Sequence, residues 1–347
     1  MKPIRVLLVT SALGPPTRGN GVTVARWRGW AETAGLVLHA VHPDGDAPND
    51  AFDLVHGYHA VHGGERARAL AEARGLPLVV SLGGSDLYAL GGGSIVATDW
   101  QARTANVLRA STLTTGAFPA FGRAVSEALG ESLPYAWVPR GVQLPAERAP
   151  AARDADAPLR VLMPAGLRPI KDPLLALELV RHLHESGLPI TLDLLGPPLD
   201  DETARQVTRE ASALPYVHLG LAPLDDMPRH YDAADVVWNT SLHEGGANAL
   251  LEAAAHGCAV YARDVPGNRE LLATSAFGTL FDTTADDWMA RALAFHAELR
   301  GALAERPPKQ VLLRRAAARA WLSTHHAERA EIFALRAAYE RALEGRA

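Results

Sequence analysis

The sequence predicts two doubly wound α/β domains, each a parallel sheet packed between helices, and three observations carry that expectation. Short apolar runs alternate with helical stretches along most of the chain, the pattern that βαβ units leave in a sequence. The alternation breaks over 145–158 into Ala, Pro, Arg and Asp without periodicity, then restarts, as it does across an interdomain linker. The length of 347 residues suits two ordinary domains of roughly 100–200 residues each.

Taken in order, Ile4–Val9 is a near-continuous apolar run, expected of a strand buried on both faces of a parallel sheet. A Gly/Pro-rich turn follows, then a helix from about Val22 to Ala34 ended by Gly35. Leu36–Val41, Asp53–His56, Leu78–Leu82, Leu113–Thr115 and Ala136–Val138 are the next strands, with helical segments rich in Ala, Arg and Glu between most of them. After the linker come a strand at Arg160–Met163 and a helix over Asp172–Ser186, in which Asp172 is the N-cap, Pro173 the first helical residue and Gly187 the stop. Ile190–Leu195, Tyr216–Leu219, Val236–Trp238, Ala259–Tyr261 and Thr279–Phe281 complete the strands. On the last helix Ile332, Phe333, Leu335, Tyr339 and Leu343 mark an apolar stripe. The expected division is a first domain over 1–148, a second over 158–325, and a closing helix over 326–347 that can pack back on the first. Two such domains facing each other leave a cleft at the C-terminal ends of their strands, where ligands bind.

Composition removes several function classes. The hydrophobic fraction of 48% and charged fraction of 21% are those of a folded chain. With 34 Lys and Arg against 39 Asp and Glu, the formal charge is -5, which argues against a protein that grips nucleic acid through its phosphates. The single cysteine, Cys258, rules out intramolecular disulfides, Cys-based zinc sites and iron–sulfur clusters. No apolar run reaches the roughly 18–20 residues of a membrane span, and the first residues lack a signal peptide's apolar region. The expected location is cytoplasmic, with peripheral membrane contact left open.

Two blocks bear chemistry. In the first, Glu244 and Glu252 lie eight residues apart, separated by Gly245, Gly246 and a helix beginning near Ala247. A helix start presents unpaired N–H groups and partial positive charge to an anion, and the glycines let a ligand approach the backbone. By spacing alone, a cap and a solvated carboxylate account for the pair equally well. In the second, Gly166, Arg168 and Lys171 follow the first strand of the second domain. Two cations on such a loop can neutralise a diphosphate without a metal, although a pair of this kind standing alone is more often solvated.

Together these blocks, with the run Pro266, Gly267, Asn268 and Glu270, resemble family 4 of the retaining glycosyltransferases, which have the two-domain GT-B architecture. The resemblance covers about Ile4 to Phe281 and is strongest over Leu162–Leu272. It implies a nucleoside-diphosphate sugar, most plausibly a UDP-sugar, as co-substrate, with no resident cofactor and no metal. Arg168 and Lys171 would hold the diphosphate, Glu244 the donor sugar and Glu252 the ribose. Gly166, Gly245, Gly246, Ala247, Asn248 and Ala249 would line the donor. Leu221 falls where the family's base-binding loop lies, with core packing as the alternative. Gly19 belongs to a glycine-rich stretch expected near the transferred sugar. His59, preferred over His56 because it lies past a strand end, would contact the donor sugar or stabilise charge. Asn20, Thr23, His62 and Asp86 are acceptor-side candidates, with helix capping the plainer role for Asn20 and Thr23.

Domain closure would bring His59 and the Gly19 loop to the donor. Asp154 and Asp156 look like a metal motif but fall in the linker, and Asp44 and Asp46 read as a turn. The glycosylation pattern at Asn239 and Ser241 is discounted, since it follows a buried strand. Glu-Gly-Gly-Ala-Asn, at 244–248, and Asp-Leu-Tyr, at 86–88, are similar to selenosugar synthases, which makes selenophosphate one acceptor option. A sugar-nucleotide epimerase and a non-catalytic nucleotide-sugar-binding protein are the alternatives. The acceptor and the oligomeric state stay open.

Overall fold

The computed structural model describes residues 2–14, 19–92, 99–146, 156–273, 277–305 and 308–345. The chain forms two units, Met1–Gly141 with His326–Ala347, and Val142–His325. The centre of the 145–158 segment, with Asp154, and Pro15–Arg18 of the glycine-rich stretch lie outside the described residues.

The first unit carries strands β1 (Ile4–Val9), β2 (Leu36–Val41), β3 (Leu54–Tyr58), β4 (Leu78–Ser81), β5 (Leu113–Gly116) and β6 (Tyr135–Trp137). They form one parallel sheet in the order β2-β1-β3-β4-β5-β6, with Val6 paired to Leu38 on one side and Leu54 on the other. Helices α1 (Gly19–Trp30), α2 (Glu65–Arg74), α3 (Gly84–Leu90), α4 (Trp100–Arg109) and α5 (Pro119–Leu129) connect them. All of β3 is buried, as a parallel strand covered on both faces requires.

The second unit has β7 (Leu159–Pro164), β8 (Ile190–Leu195), β9 (Val217–Gly220), β10 (Val236–Asn239), β11 (Ala259–Arg263) and β12 (Gly278–Phe281). Their order, β12-β11-β10-β7-β8-β9, is again wholly parallel and reverses direction between β7 and β10. Its helices are α6 (Pro173–Glu185), α7 (Asp201–Ala211), α8 (Met227–Ala233), α9 (Asn248–Ala255), α10 (Pro266–Leu272), α11 (Trp288–Ala304) and α12 (Lys309–His325). Asp172 caps α6, accepting from Leu175 N at 3.4 Å. The core packs Leu162's neighbours Val161 and Met163 with Leu179, Val236, Trp238 and Tyr261.

The last helix, α13 (Glu328–Glu344), returns to the first unit. Ile332, Leu335, Ala338, Tyr339 and Ala342 join Ile4, Val6, Leu8 and Trp27 in one core. Burying a side chain of the size of Ile332 or Leu335 contributes roughly 1.5–3 kcal/mol. Phe333 departs from the expected stripe and is 47% exposed, because one residue beyond Ile332 turns it about 100° away from the packed face.

The first helix also differs from expectation, starting at Gly19 and ending at Trp30. Glycine is tolerated at a helix start, and Thr23 Oγ1 donates to Gly19 O at 3.2 Å, closing the first turn. Thr23 is therefore a buried residue inside the helix rather than its cap.

Buried histidines tie these parts together. His56 on β3 lies 2.7 Å from Tyr339 OH on α13 and 2.8 Å from Ser81 Oγ, and burial lowers its pKa to about 3. In the second unit, Trp238 Nε1 donates to His296 Nε2 at 2.9 Å, and burial lowers the His296 pKa to about 4. Between those values and the ordinary 6.5, the unfolded chain binds protons that these rings refuse. Stability present above pH 6.5 is therefore lost as pH falls toward 4, by at most ~1.4 kcal/mol per pH unit for each ring. Asp86 acts oppositely: burial raises it to about 7, so the fold binds its proton first and gains on acidification. The expected result is a urea midpoint that drops between about pH 6.5 and 4.5, and drops more steeply in Asp86→Asn.

Candidate active site

Ligands of doubly wound sheets bind beyond the C-terminal strand ends, where the strand order reverses. In the second unit that point lies between β7 and β10, and the Gly166–Lys171 loop and the Ser241–Gly246 loop leave the sheet there. The two loops are stitched together. Thr240 Oγ1 donates to the carbonyls of Lys171 and Asp172 at 2.9 Å each, and Leu242 N donates to Ile170 O at 2.9 Å. Arg263 Nη1, from the end of β11, holds Asp172 Oδ2 at 2.9 Å.

Glu244 is the centre of this arrangement and is only 7% exposed. Its Oε1 accepts from Lys171 Nζ at 2.6 Å, Ser241 Oγ at 2.6 Å and Asn239 Nδ2 at 2.9 Å. Burial works against its ionisation. The Lys171 charge and the hydrogen bonds from Lys171, Ser241 and Asn239 outweigh that effect, leaving the carboxyl below its usual pKa. Asn239 is itself oriented, since its Oδ1 accepts from Ser241 N at 3.1 Å and Asn268 Nδ2 at 3.2 Å. Gly267 lies against the Glu244 backbone so closely that a Cβ there would stand 2.3 Å from Glu244 O. Neighbouring His243 is lowered, chiefly by burial.

Gly246 takes φ 110°, a conformation that favours glycine, and delivers the chain to α9, which starts one residue later than the sequence suggests. Ala247 is its N-cap, with no side-chain cap bond. Asn248 and Ala249 form its first turn. Glu252 Oε2 accepts from Tyr231 OH at 2.7 Å. Tyr231 O also accepts from Cys258 Sγ at 3.1 Å, and burial pushes that thiol up to about 12. Such a thiol is no nucleophile, so Cys258 packs. Leu221 is 70% exposed, which excludes the core-packing alternative.

In the first unit, His59 stands just past β3 with φ 70° and ψ 123°, a sparsely populated backbone conformation. Its Nδ1 is 3.0 Å from Asp86 Oδ1, its Nε2 is 2.6 Å from Ser85 Oγ, and the residue is 2% exposed. A Cβ on Gly83 would lie 2.7 Å from its ring. Asp86 is wholly buried and accepts from Gly83 N at 2.7 Å and Ala60 N at 3.1 Å. Its geometry is that of an anchor for the His59 turn rather than a residue that meets an acceptor. His62 is exposed, its ring centroid 4.4 Å from His59 and 5.1 Å from Trp100. Gly19 and Asn20 are exposed in the first turn of α1.

Sequence reasoning brought Glu244, Lys171, Arg168 and Gly166 to one sheet edge but missed Asn239, Ser241, Asn268 and Tyr231. The signal for the first two was present, since they close a strand just ahead of Glu244. Among the described residues no helix is long and apolar enough to cross a membrane, and no three His, Cys, Asp or Glu side chains converge as metal ligands.

Residues 158–297 match the family model for "Glycosyl transferases group 1". Over 119 residues the chain is 33% identical to glycosyltransferase 1 domain-containing protein 1 of Xenopus tropicalis, a stretch of 34% of each chain. The match thus spans about a third of that relative's length. Sucrose-phosphate synthase of Thermosynechococcus elongatus superposes with a TM-score of 0.77 at 15% identity, covering 97% of this chain and 98% of the other. Anabaena Alr3699/HepE, solved with UDP and glucose, gives 0.73 at 14% identity over 96% and 98%. At such identities the structural likeness establishes the fold. The chain accordingly has the two-domain GT-B fold, and its residues 158–297 are similar to the glycosyl transferases group 1 family.

Proposed function

We propose that the protein is a retaining glycosyltransferase that moves a sugar from a nucleoside-diphosphate sugar, a UDP-sugar, to an acceptor in the cytoplasm without a metal ion. The observation that carries this reading is the Lys171–Glu244 pair, held by Asn239 and Ser241 where the strand order of the second unit reverses. Supporting it, Alr3699/HepE has been solved with UDP-glucose.

Arg168 and Lys171 bring positive charge to the diphosphate. As the bond from anomeric carbon to phosphate oxygen breaks, its electron pair goes to the leaving diphosphate. Cations already in place favour that transition state over the ground state, and the α9 start at Asn248 and Ala249 adds N–H donors. Among the described residues the three donors to Glu244 converge on Oε1, and Oε2 is the oxygen that accepts from hydroxyls of the donor sugar. The acceptor oxygen bonds the anomeric carbon on the face the diphosphate leaves, and its proton passes to a diphosphate oxygen. Glu252, steadied by Tyr231, takes the ribose hydroxyls, and exposed Leu221 covers the base. Gly166, Gly245, Gly246 and Ala247 let the donor approach the backbone.

The reading predicts slow hydrolysis of a UDP-sugar to UDP and free sugar, with water as a poor acceptor. Glu252→Ala is expected to raise the donor KM roughly 10-fold or more, from lost hydrogen bonds to a charged group, with kcat little changed. Mass spectrometry of products from a panel of UDP-sugars checks the first point. A panel in which none is cleaved, with Glu252→Ala indistinguishable from wild type in UDP affinity, would sink the assignment.

A further inference from the structure

A ring of side chains runs through the Lys171–Glu244 pair, and Asn268 closes it. Glu244 Oε1 accepts from Asn239 Nδ2 at 2.9 Å, and Asn239 Oδ1 accepts from Asn268 Nδ2 at 3.2 Å. The same Asn268 nitrogen donates its second hydrogen to Arg263 O at 3.0 Å. Arg263 Nη1 reaches Asp172 Oδ2 at 2.9 Å. Asp172 is the chain neighbour of Lys171, whose Nζ returns to Glu244 Oε1 at 2.6 Å. The ring joins the loop after β7, the ends of β10 and β11, and the first turn of α10, all in the second unit.

Asn268 is wholly buried, and its Oδ1 has no hydrogen-bond partner among the described residues. A buried acceptor in that state is a cost to the fold, and a leucine of similar shape would not incur it. The amide is explained instead by its Nδ2, whose two hydrogens both go to carbonyl oxygens. Those two acceptors also settle which way it faces, since its own oxygen in that place would be repelled.

What the donation accomplishes is decided at Asn239. An amide can turn either its oxygen or its nitrogen toward a neighbour, and the Glu244 carboxylate needs the nitrogen. Asn268 draws the Asn239 oxygen toward α10, which turns the nitrogen to Glu244. Ser241 N makes the same demand at 3.1 Å, but Ser241 rides on the Glu244 loop and moves with it. Asn268 refers Asn239, and through it Glu244, to a separate element. Its chain neighbour Gly267 lies against the backbone of that same loop, so the start of α10 braces Glu244 by contact and by hydrogen bond.

We propose that Asn268 is a positioning residue of the transfer reaction, acting through Asn239 to hold Glu244 against the sugar of the donor. The proposal rests on the reading of Glu244 as the group that meets the donor sugar, and it extends that site to a residue that touches no substrate.

Wild type, Asn268→Leu, Asn239→Ala and the double variant are compared in cleavage of the UDP-sugar that wild type cleaves fastest, with UDP binding followed by calorimetry. Asn268→Leu is expected to lower kcat about fivefold, the scale of one lost neutral hydrogen bond. Asn239→Ala is expected to lower it roughly tenfold or more, because its donor faces a charged group. The double variant should match Asn239→Ala within about twofold, since Asn268 has nothing to act on once that amide is gone. UDP affinity should stay within about twofold of wild type throughout, because UDP lacks the sugar that Glu244 meets. If Asn268→Leu does not fold, Asn268→Asp, which has the same size and cannot donate to both carbonyls, takes its place in the cycle.

Wild-type kcat in the Asn268 variant overturns the proposal. So does a double variant in which the two losses multiply, because Asn268 would then act independently of Asn239. UDP affinity falling in step with kcat also overturns it, as the mark of a general disturbance of the site. A wild type that cleaves no UDP-sugar removes the donor reading and the proposal with it, whereas the other contrary results remove the proposal alone.

Discussion

Lys171→Met is expected to lower kcat for donor cleavage by about 10²–10³-fold, the scale of losing one preorganised charge partner of a transition state. It should also destabilise the fold. Glu244 is nearly buried and Lys171 supplies its only cation among the described residues. Stripping one partner from such a pair costs about 3–5 kcal/mol, toward the low end here because the Lys171 side chain is 21% exposed. The two effects separate in the double variant Lys171→Met, Glu244→Gln. Removing both charges should restore much of the urea midpoint, while activity stays lost. Recovery of activity together with stability would show that Lys171 acts on Glu244 alone and never on the diphosphate.

Gly267→Ala should be nearly as damaging to activity and should also cost stability, because the added Cβ meets backbone rather than a side chain that can swing away. The backbone at Gly267 is not among those with positive φ, so alanine meets no conformational barrier there. Its Cβ nevertheless falls 2.3 Å from Glu244 O and 3.1 Å from Glu244 Cβ, and the Glu244 loop must move. A displacement of about 1 Å at a reacting centre costs on the order of 10²-fold in rate. Measured kcat should fall by that order, and overpacking against the Glu244 backbone should cost about 1–3 kcal/mol of stability. Wild-type kcat in Gly267→Ala would mean that the position of Glu244 is immaterial to the chemistry.

Much of the fold was legible because parallel strands announce themselves. Ile4–Val9, Leu36–Val41 and Ile190–Leu195 appear with the limits their apolar runs suggest, since burial on both faces leaves little room for polar residues. Helix limits were less legible where glycine plays two roles. Gly19 and Gly21 read as a loop, yet they start α1. The charged centre of the candidate site was legible from Gly166, Lys171, Glu244 and Gly246 through the family resemblance these residues carry, since their spacing alone left a cap and solvated charges equally open. The residues that hold Glu244 were not, because Asn239 and Asn268 lie on different elements and meet only after β10 and α10 are placed. His59 was found by its position past a strand end. Its burial against Ser85 and Asp86 depends on α3, an element the strand pattern does not announce.

The whole donor-side reading stands on one assignment, that the loops after β7 and β10 bind a nucleoside diphosphate through Arg168 and Lys171. Calorimetric titration of UDP into the wild type and into Arg168→Ala tests it without reference to any acceptor. The expected result is saturable binding to the wild type, weakened at least roughly tenfold in Arg168→Ala by the loss of a charge-assisted contact. Equal UDP affinity in the two proteins would contradict it.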